Sequence, residues 1–358
     1  MSDLANPSST GSSASSLLGI YYDKVLLENL YPELKFYDIA DKRPIPKNIS
    51  TTITFTKMSK FSATVTDLTE GVPPSPTWLS SSQITAKISQ LGAYTPISDV
   101  LTMSAIDPVV EDAARELGKQ AGESVDKFIY YRCFGKKDAT GGFAEATIGA
   151  TRTYDFSTFY DRAGSYAFSV SFFSQSGSEV AIAALKSFLT SASAATANQY
   201  GLNVDTVRRA VYKLKAANVP AFKDGSYVMV VHPDSALALE RDEEFKDWAS
   251  SQYADKMFNG EVGKVAGCRI VTSTNIAQAA NSTLSVGTVL SGIFNVILAP
   301  KAIAVTEIDG HVHMKVKAAG SAGAVDPLDQ VSTVGWKWTG AATVTDTQRG
   351  RIILTLKG

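Results

Sequence analysis

"DPVVEDAARELGKQAGESVDKFIYYRCF", residues 107–134, is the stretch on which the fold turns. Asp107 is a good N-cap, Pro108 suits the first helical position, and Glu111 and Asp112 complement the positive end of a helix dipole. Val110, Ala114, Leu117, Ala121, Val125 and Phe128 recur at helical spacing and form one apolar stripe. Glu111/Arg115 and Glu123/Lys127 are i,i+4 pairs in the favourable order. At 1.5 Å per residue such a helix is about 40 Å long, more than most compact domains need. It reads as a spine along which other elements pack.

Before the helix the chain is all projection. "MSDLANPSSTGSSASS" is a Ser-rich leader that buries too little apolar surface to order itself. "IYYDKVLLENLYPELKFYDIA" (20–40) follows, with Tyr21, Val25, Leu27, Leu30 and Leu34 near a helical period and Pro32 as a break. "DKRPIPKN" (41–48) is extended by its prolines and carries Lys42, Arg43 and Lys47. Two strand-like runs come next, "TTITFTKM" (51–58) and "SQITAKISQ" (82–90), with Ile53, Phe55, Ile84, Ala86 and Ile88 on one face. Between them "TEGVPPSPTWL" (69–79) is a proline-rich tip. A two-stranded ribbon is marginal alone, so it needs a surface, and another subunit is the expected provider.

After the helix, 136–203 is loop-like, then aromatic, then helical in "SEVAIAALKSFLTSASAA". A mixed α/β unit follows over about 204–308. Its helices are "NVDTVRRAVYKLKAAN" and "PDSALALERDEEFKDWAS", and its strands "YVMVVH", "CRIVTST", "IFNVILAP" and "AIAVTEI". "HVHMKVKAA", "STVGWKWTGAATV" and "GRIILTLKG" are expected to close an antiparallel sheet alongside the long helix.

Composition limits what these parts do. The chain has 358 residues, 44% apolar and 19% charged, with a formal net charge of −1. There is no basic field to draw in nucleic acid, and an uncharged surface of this extent suits coverage by other chains. Cys133 and Cys268 make no disulfide framework, and with no signal peptide they read as free thiols in a reducing compartment. The sequons at Asn48 and Asn281 then carry little meaning. No run approaches the roughly 20 apolar residues of a membrane span.

Catalytic constellations fail one by one. "FNGEVGKVAG" (258–267) resembles a phosphate loop in composition, but only two residues separate Gly260 from Gly263-Lys264, and Val265 stands where Ser or Thr would hold magnesium. It reads as a glycine turn into the strand at Cys268, with Lys264 a surface charge. His311 and His313 alternate on one strand face, a spacing compatible with two metal ligands, but His232 would have to come from another element. No Gly-x-Ser-x-Gly elbow occurs, and the run 240–248 reads as a solvated acidic helix face. No catalytic, cofactor-binding or metal-binding residue is expected, and no enzyme.

The order of these motifs resembles the major capsid proteins of tailed bacteriophages with the α+β Hong Kong 97-type fold, in particular the phage N4-like capsid protein family. The residues that carry the resemblance begin with "YYDKVLLENLYPELKFYDIADKRPIPKN" (21–48), "LTEGVPP" (68–74) and "ISDVLTMSAIDPVVEDAARELGKQAGESVD" (97–126). They continue with "VRRAVYKLKAANVPAF", "YVMVVHPDSALAL", "MFNGEVGKVAGCRIVTST" and "DPLDQVSTVGWKW" (326–338). The similarity spans about 20–135 and about 203 to the C-terminus.

The resemblance implies an N-terminal arm (1–50), an extended loop lying over a neighbouring subunit (51–95) and a peripheral domain (96–203) with a spine helix at 107–134. It further implies an axial domain (204–308) and C-terminal strands returning to the peripheral domain (309–358). Segment 136–203 is long for this branch and suggests a surface elaboration. The implied function is structural: hexamers and pentamers closing an icosahedral head around double-stranded DNA, in a virion assembled in the host bacterial cytoplasm. Implied partners are further copies, a portal, scaffold or decoration proteins, and DNA touched non-specifically on the inner face, with no membrane. From pattern alone, inter-subunit contacts are expected at Tyr21, Tyr22 and Arg43 of the arm and at Ile53, Phe55, Trp78, Ile84 and Ile88 of the ribbon. The alternatives are an encapsulin-like nanocompartment shell or a metal- or nucleotide-dependent enzyme. Lys57 and Lys60 are available for cross-linking, but no motif marks a partner.

Overall fold

Val25, Leu26, Leu30, Leu34 and Phe36, ahead of the first ribbon strand, find partners within their own chain. The computed structural model describes residues 24–30, 34–43, 52–58, 61, 67, 70–71, 76–104, 109–134, 154–155, 168–171, 173, 201–245, 261–276, 278–280, 291–308, 312–317 and 330–357. Residues 24–30 form helix α1, and α2 (Phe36–Ile39) and β1 (Asp41–Lys42) follow. β2 (Thr52–Met58) and β3 (Ser81–Lys87) make the antiparallel ribbon, in register from Thr52↔Lys87 to Met58↔Ser81. β4 (Ser89–Ser98), α3 (Asp99–Ser104) and the long helix α4 (Val109–Phe134) come next.

On α4 the stripe residues Ala114, Leu117, Ala121 and Val125 are buried, while Val110 and Phe128 pack on the core and stay partly exposed. The buried face is wider than the sequence stripe and takes in Gly118, Asp126, Ile129 and Tyr130, because α4 is covered from two sides. Val25, Leu26 and Leu30 of α1 lie on one side, where a Cβ on Gly118 would sit 2.7 Å from the Leu26 carbonyl oxygen. A sheet lies on the other.

The remaining elements alternate between two sheets. β5 (Tyr154–Asp155), β6 (Ser169–Ser171), α5 (Val204–Ala216), β7 (Tyr227–Val231) and α6 (Pro233–Glu240) are followed by β8 (Glu261–Val265) and β9 (Cys268–Thr272). β10 (Gln278–Ala280), β11 (Ser291–Leu298), β12 (Ile303–Glu307), β13 (His313–Lys317), β14 (Val331–Val344) and β15 (Gly350–Lys357) complete the chain. The first sheet has eight strands, with the path β5-β10-β11-β7-β9-β8 and β15 bridging β11 to β6. The second has five: β14 pairs with β12 and β13 along one edge and with β4 along the other, and β1 adds to β12.

The central strands of the eight-stranded sheet, β7, β11 and β15, are buried on both faces, which is why they read as nearly unbroken apolar runs, whereas β9 toward the edge exposes Arg269. Tyr227, Met229, Val231, Ile297 and Ile353 meet α5 and α6, while Val230, Val296, Leu298, Ile352 and Leu354 join the core of α4 and α1. A few polar side chains lie inside, Asn295 and Thr355 among them. Asn295 accepts the backbone N–H of His232 (3.0 Å) and donates to Ser235 Oγ (3.0 Å) and Thr355 Oγ1 (2.9 Å), pinning the start of α6 to β11 and β15.

The five-stranded sheet has one face under α4. Trp336 Nε1 donates to Gln120 Oε1 (3.1 Å), and Trp338 meets the Phe128 ring edge-on with centroids 5.3 Å apart. An aromatic pair of this kind contributes about 0.5–1.5 kcal/mol beyond its buried area.

Two strands fall elsewhere than the sequence places them. "AIAVTEI", read as part of the α/β unit over 204–308, is β12 of the five-stranded sheet, and "GRIILTLKG", read among the strands returning beside the long helix, is β15 of the other sheet. Both are apolar strands with equal claims on either sheet; the exchange follows from two short connections lying side by side. Ala299 N–H donates to Arg349 O (2.8 Å), and Thr345 N–H donates to Ala302 O (3.0 Å). The ribbon also ends sooner than 95, since β4 leaves it after Ile88 to pair with β14. Within 136–203, β6 lies beside β15 and β5 beside β10 at edges of the eight-stranded sheet, while Phe168, Phe173 and Leu202 are buried in the cores.

Candidate functional site

The ribbon divides into a foot that its own chain covers and a tip that it leaves bare. Alternation puts Ile53, Phe55, Ile84 and Ala86 on one face, and that face lies on the side of the five-stranded sheet away from α4. Phe55, 6% exposed, and Ala86 pack on Ala304 of β12 and Ala341 of β14, with Ile53, Ile84 and Ile88 around them. The surface expected from another subunit is therefore present in the same chain. It is invisible in the sequence because Ala304 and Ala341 lie some 250 residues away and are too small to mark a docking face.

Lys57 fastens the foot. Its Nζ donates to Asp346 Oδ1 (2.7 Å), and Asp346 also accepts from Arg349 Nε (3.1 Å) and the Gln348 N–H (3.1 Å). Burial works against the Asp346 carboxylate, but the hydrogen bonds from Lys57, Gln348 and Arg349 together outweigh it and hold the group below its ordinary value. Arg43 closes the other side: its guanidinium pairs with Asp41 (2.9 Å) and lies 5.3 Å from the centre of the Phe55 ring. So Arg43, Ile53, Phe55, Ile84 and Ile88 all have partners within the chain. Tyr21 and Tyr22 lie outside the described residues.

Beyond the foot the picture reverses. Trp78 is 84% exposed, and Leu79, Met58 and Phe61 are exposed with it. Asp67 and Glu70 are exposed in the same stretch. An indole left in water wastes one of the largest apolar areas a side chain has.

A second bare surface lies on the five-stranded sheet, on the same side as the ribbon foot but toward β13. Tyr94, 73% exposed, pairs across Gly335 with Lys315; the neighbouring rows carry Lys317 with Thr333 and Pro96, and Lys337 with His313 and Gly92. Residues directly opposite on adjacent strands share a face, so Lys315, Lys317 and Lys337 stand together around Tyr94. Gly335 is required there, since a Cβ would lie 2.7 Å from Tyr94 Cβ. Among the described residues no acid pairs with any of the three lysines. Sequence reading missed this face; alternating lysines in "HMKVK" and the lone Lys337 between two tryptophans were its only signal.

The residues weighed for chemistry take structural places. Lys264 lies in β8, and the two-residue turn to β9 is Ala266 (φ 50°) and Gly267 (φ 81°), both left-handed, as tight hairpins with right-handed twist demand. No helix follows these glycines, so no helix N-terminus faces them. His232 caps α6, its Nδ1 accepting the Asp234 N–H (3.2 Å). His313 opens β13, and His311 lies outside the described residues. Cys268 is buried and burial pushes its thiol well up; the side chain of Cys133 is outside the described residues. No cluster of three His, Cys, Asp or Glu suited to a metal occurs among the described residues, and no helix there is long and apolar enough to cross a membrane.

No protein-family model and no curated protein matches this sequence. Solved structures do. The capsid of Ralstonia phage GP4 matches with a TM-score of 0.60 at 13% identity, covering 89% of this chain and 87% of that one. The capsid of Helicobacter pylori bacteriophage KHP30 matches with 0.59 at 10% identity, over 90% and 91%. The capsid of cyanophage Pam1 matches with 0.55 at 12% identity, over 99% of each chain. With its long helix, its ribbon and its two interlocked sheets, the chain has the α+β Hong Kong 97-type fold of phage capsid proteins.

Proposed function

We propose that this chain is the major capsid protein of a tailed bacteriophage, a structural protein without catalytic activity, and that it builds an icosahedral head around double-stranded DNA. The observation that carries this reading is the fold, matched from end to end against capsids, with a ribbon whose described tip residues, Trp78 above all, are exposed. The motifs at 21–48, 97–126 and 326–338 support a place in the N4-like branch. In this reading 1–50 is the arm, 51–88 the extended loop, 89–203 together with β12 to β14 the peripheral domain, and about 204–298 together with β15 the axial domain. Residues 309–358 close both sheets. Shell partners would be further copies in hexamers and pentamers, a portal, and DNA along the inner face.

The two bare surfaces suit one another. The tip offers Trp78 and Leu79 beside Asp67 and Glu70, and the sheet face offers Tyr94 ringed by Lys315, Lys317 and Lys337. An acidic, apolar tip laid on a neighbour's basic, aromatic face removes the indole from water and brings two carboxylates to the three lysines. Of the residues expected at subunit contacts, Trp78 is the anchor. Ile53, Phe55, Ile84, Ile88 and Arg43 serve by holding the ribbon foot in place, and Tyr21 and Tyr22 stay assigned to arm contacts. Electron microscopy of the purified protein tests the reading: closed shells or hexameric and pentameric capsomers are expected. A stable monomer that binds a nucleotide or a metal would overturn it, and shells filled with an enzyme cargo would point to a nanocompartment.

A further inference from the structure

Among the described residues Asp126 is the only charged side chain that the core fully encloses. From the middle of α4 it reaches two other parts of the fold. The N–H groups of Phe36 (2.7 Å) and Tyr37 (3.3 Å) donate to its Oδ1, so it ties off the first turn of α2. Asn275, on the segment that leaves β9, donates through Nδ2 to Oδ2 (3.1 Å). The Oδ1 of that same Asn275 is buried and has no hydrogen-bond partner.

Among the described residues no cation compensates the carboxylate. Lys127 on α4 is bound to Glu123 (2.7 Å), Lys42 to Asp38 (3.4 Å) and Arg43 to Asp41 (2.9 Å). Tyr37 O–H donates to Glu307 Oε2 on β12 (2.9 Å), and Tyr130, the next titratable group on α4, points its hydroxyl at the Phe294 carbonyl (3.4 Å). Lys35 contributes only its backbone. A buried carboxylate without a counter-ion and a buried amide oxygen without a donor are both costly. A proton on Asp126 removes the charge and turns an acceptor-only group into one that carries a donor, the kind of partner that Asn275 Oδ1 is without.

We propose that Asp126 is a proton-operated clasp on the segment 34–42: neutral, it holds that segment against α4 and Asn275; ionised, it lets the segment open more readily. Burial, its dominant influence, pushes the carboxyl from 3.8 up to about 6, against the hydrogen bonds from Asn275, Phe36, Tyr37 and Lys35 that pull it down. Because the folded value lies above the ordinary one, the added stability is complete below 3.8 and is lost as pH rises through about 6. The effect reaches the ribbon, since the same segment pairs β1 with β12 and leads to Arg43 over Phe55.

Hydrogen–deuterium exchange of the full-length protein between pH 5 and pH 8, corrected for intrinsic exchange, tests the clasp. The opening equilibrium of peptides covering 34–42 is expected to rise about tenfold across that range in the wild type. Peptides covering Tyr227–Val231 should stay flat, and Asp126→Asn, which carries a donor at every pH, should flatten the 34–42 profile as well. A flat wild-type profile over 34–42 overturns the proposal without any variant, and so does an Asp126→Asn protein that keeps the wild-type slope.

Discussion

The two sheets solve the same problem to different degrees. The centre of the eight-stranded sheet is finished within one chain: helices cover both faces of β7, β11 and β15, and the buried amide of Asn295 has partners for its oxygen and its nitrogen. The five-stranded sheet is finished on one face only. Its other face carries the ribbon foot over Ala304 and Ala341 and then runs out into Tyr94 and three lysines that no described acid pairs. A single fold thus holds faces that its own chain covers and a face that it leaves exposed. In the proposed shell, substitutions at the covered faces act on folding and substitutions at the open one act on assembly.

The comparison breaks most visibly at Trp338. This indole is buried between α4 and β14, edge-on to Phe128, with Nε1 donating to Glu307 Oε1 (2.8 Å). Trp338→Ala is expected to cost about 3–5 kcal/mol, read by urea denaturation. A loss under about 1 kcal/mol would mean that the covered face of the five-stranded sheet is no more essential than the open one.

A smaller effect is expected at the polar centre of the other sheet. Asn295→Ala leaves the His232 N–H and the Ser235 and Thr355 hydroxyls to find new partners in a dry interior, at about 1–3 kcal/mol. The same unfolding experiment reads it, and an unchanged midpoint would show that water reaches a site the packing closes.

The smallest stability effect sharpens the contrast. Replacing Lys315, Lys317 and Lys337 together by alanine should leave the unfolding midpoint almost where it was, within about 0.5 kcal/mol. Assembly, followed by light scattering at low and moderate salt, should weaken strongly and lose much of its salt dependence. Unimpaired assembly with its salt dependence intact would remove these lysines from any subunit contact.

How much of this was legible follows from what local pattern records. The spine helix announced itself through its charge pairs and a stripe of six apolar residues, since periodicity is a property of neighbouring residues; the cap read at Asp107-Pro108 lies outside the described residues. The glycine turn that carries Ala266-Gly267 was legible for the same reason, and the spacing of its glycines alone dismissed the phosphate loop. The site was less legible. Trp78 is exposed, which agrees with the contact proposed for it without testing it, whereas Phe55 and its neighbours, read as facing another molecule, pack on residues of the same chain. The lysine face was missed because its members come from β13 and β14 and meet only through register.

The sequence by itself thus determined the α+β character, the long helix, the ribbon and the order of apolar strands. Tertiary structure alone decided that β12 and β15 exchange sheets, that the ribbon foot rests on Ala304 and Ala341, and that a carboxylate at position 126 lies in the core under the arm. The reason is physical. Alternation and helical period report that a face is apolar, but what covers it is settled by contacts between residues far apart in the chain, each too small or too ordinary to be seen alone.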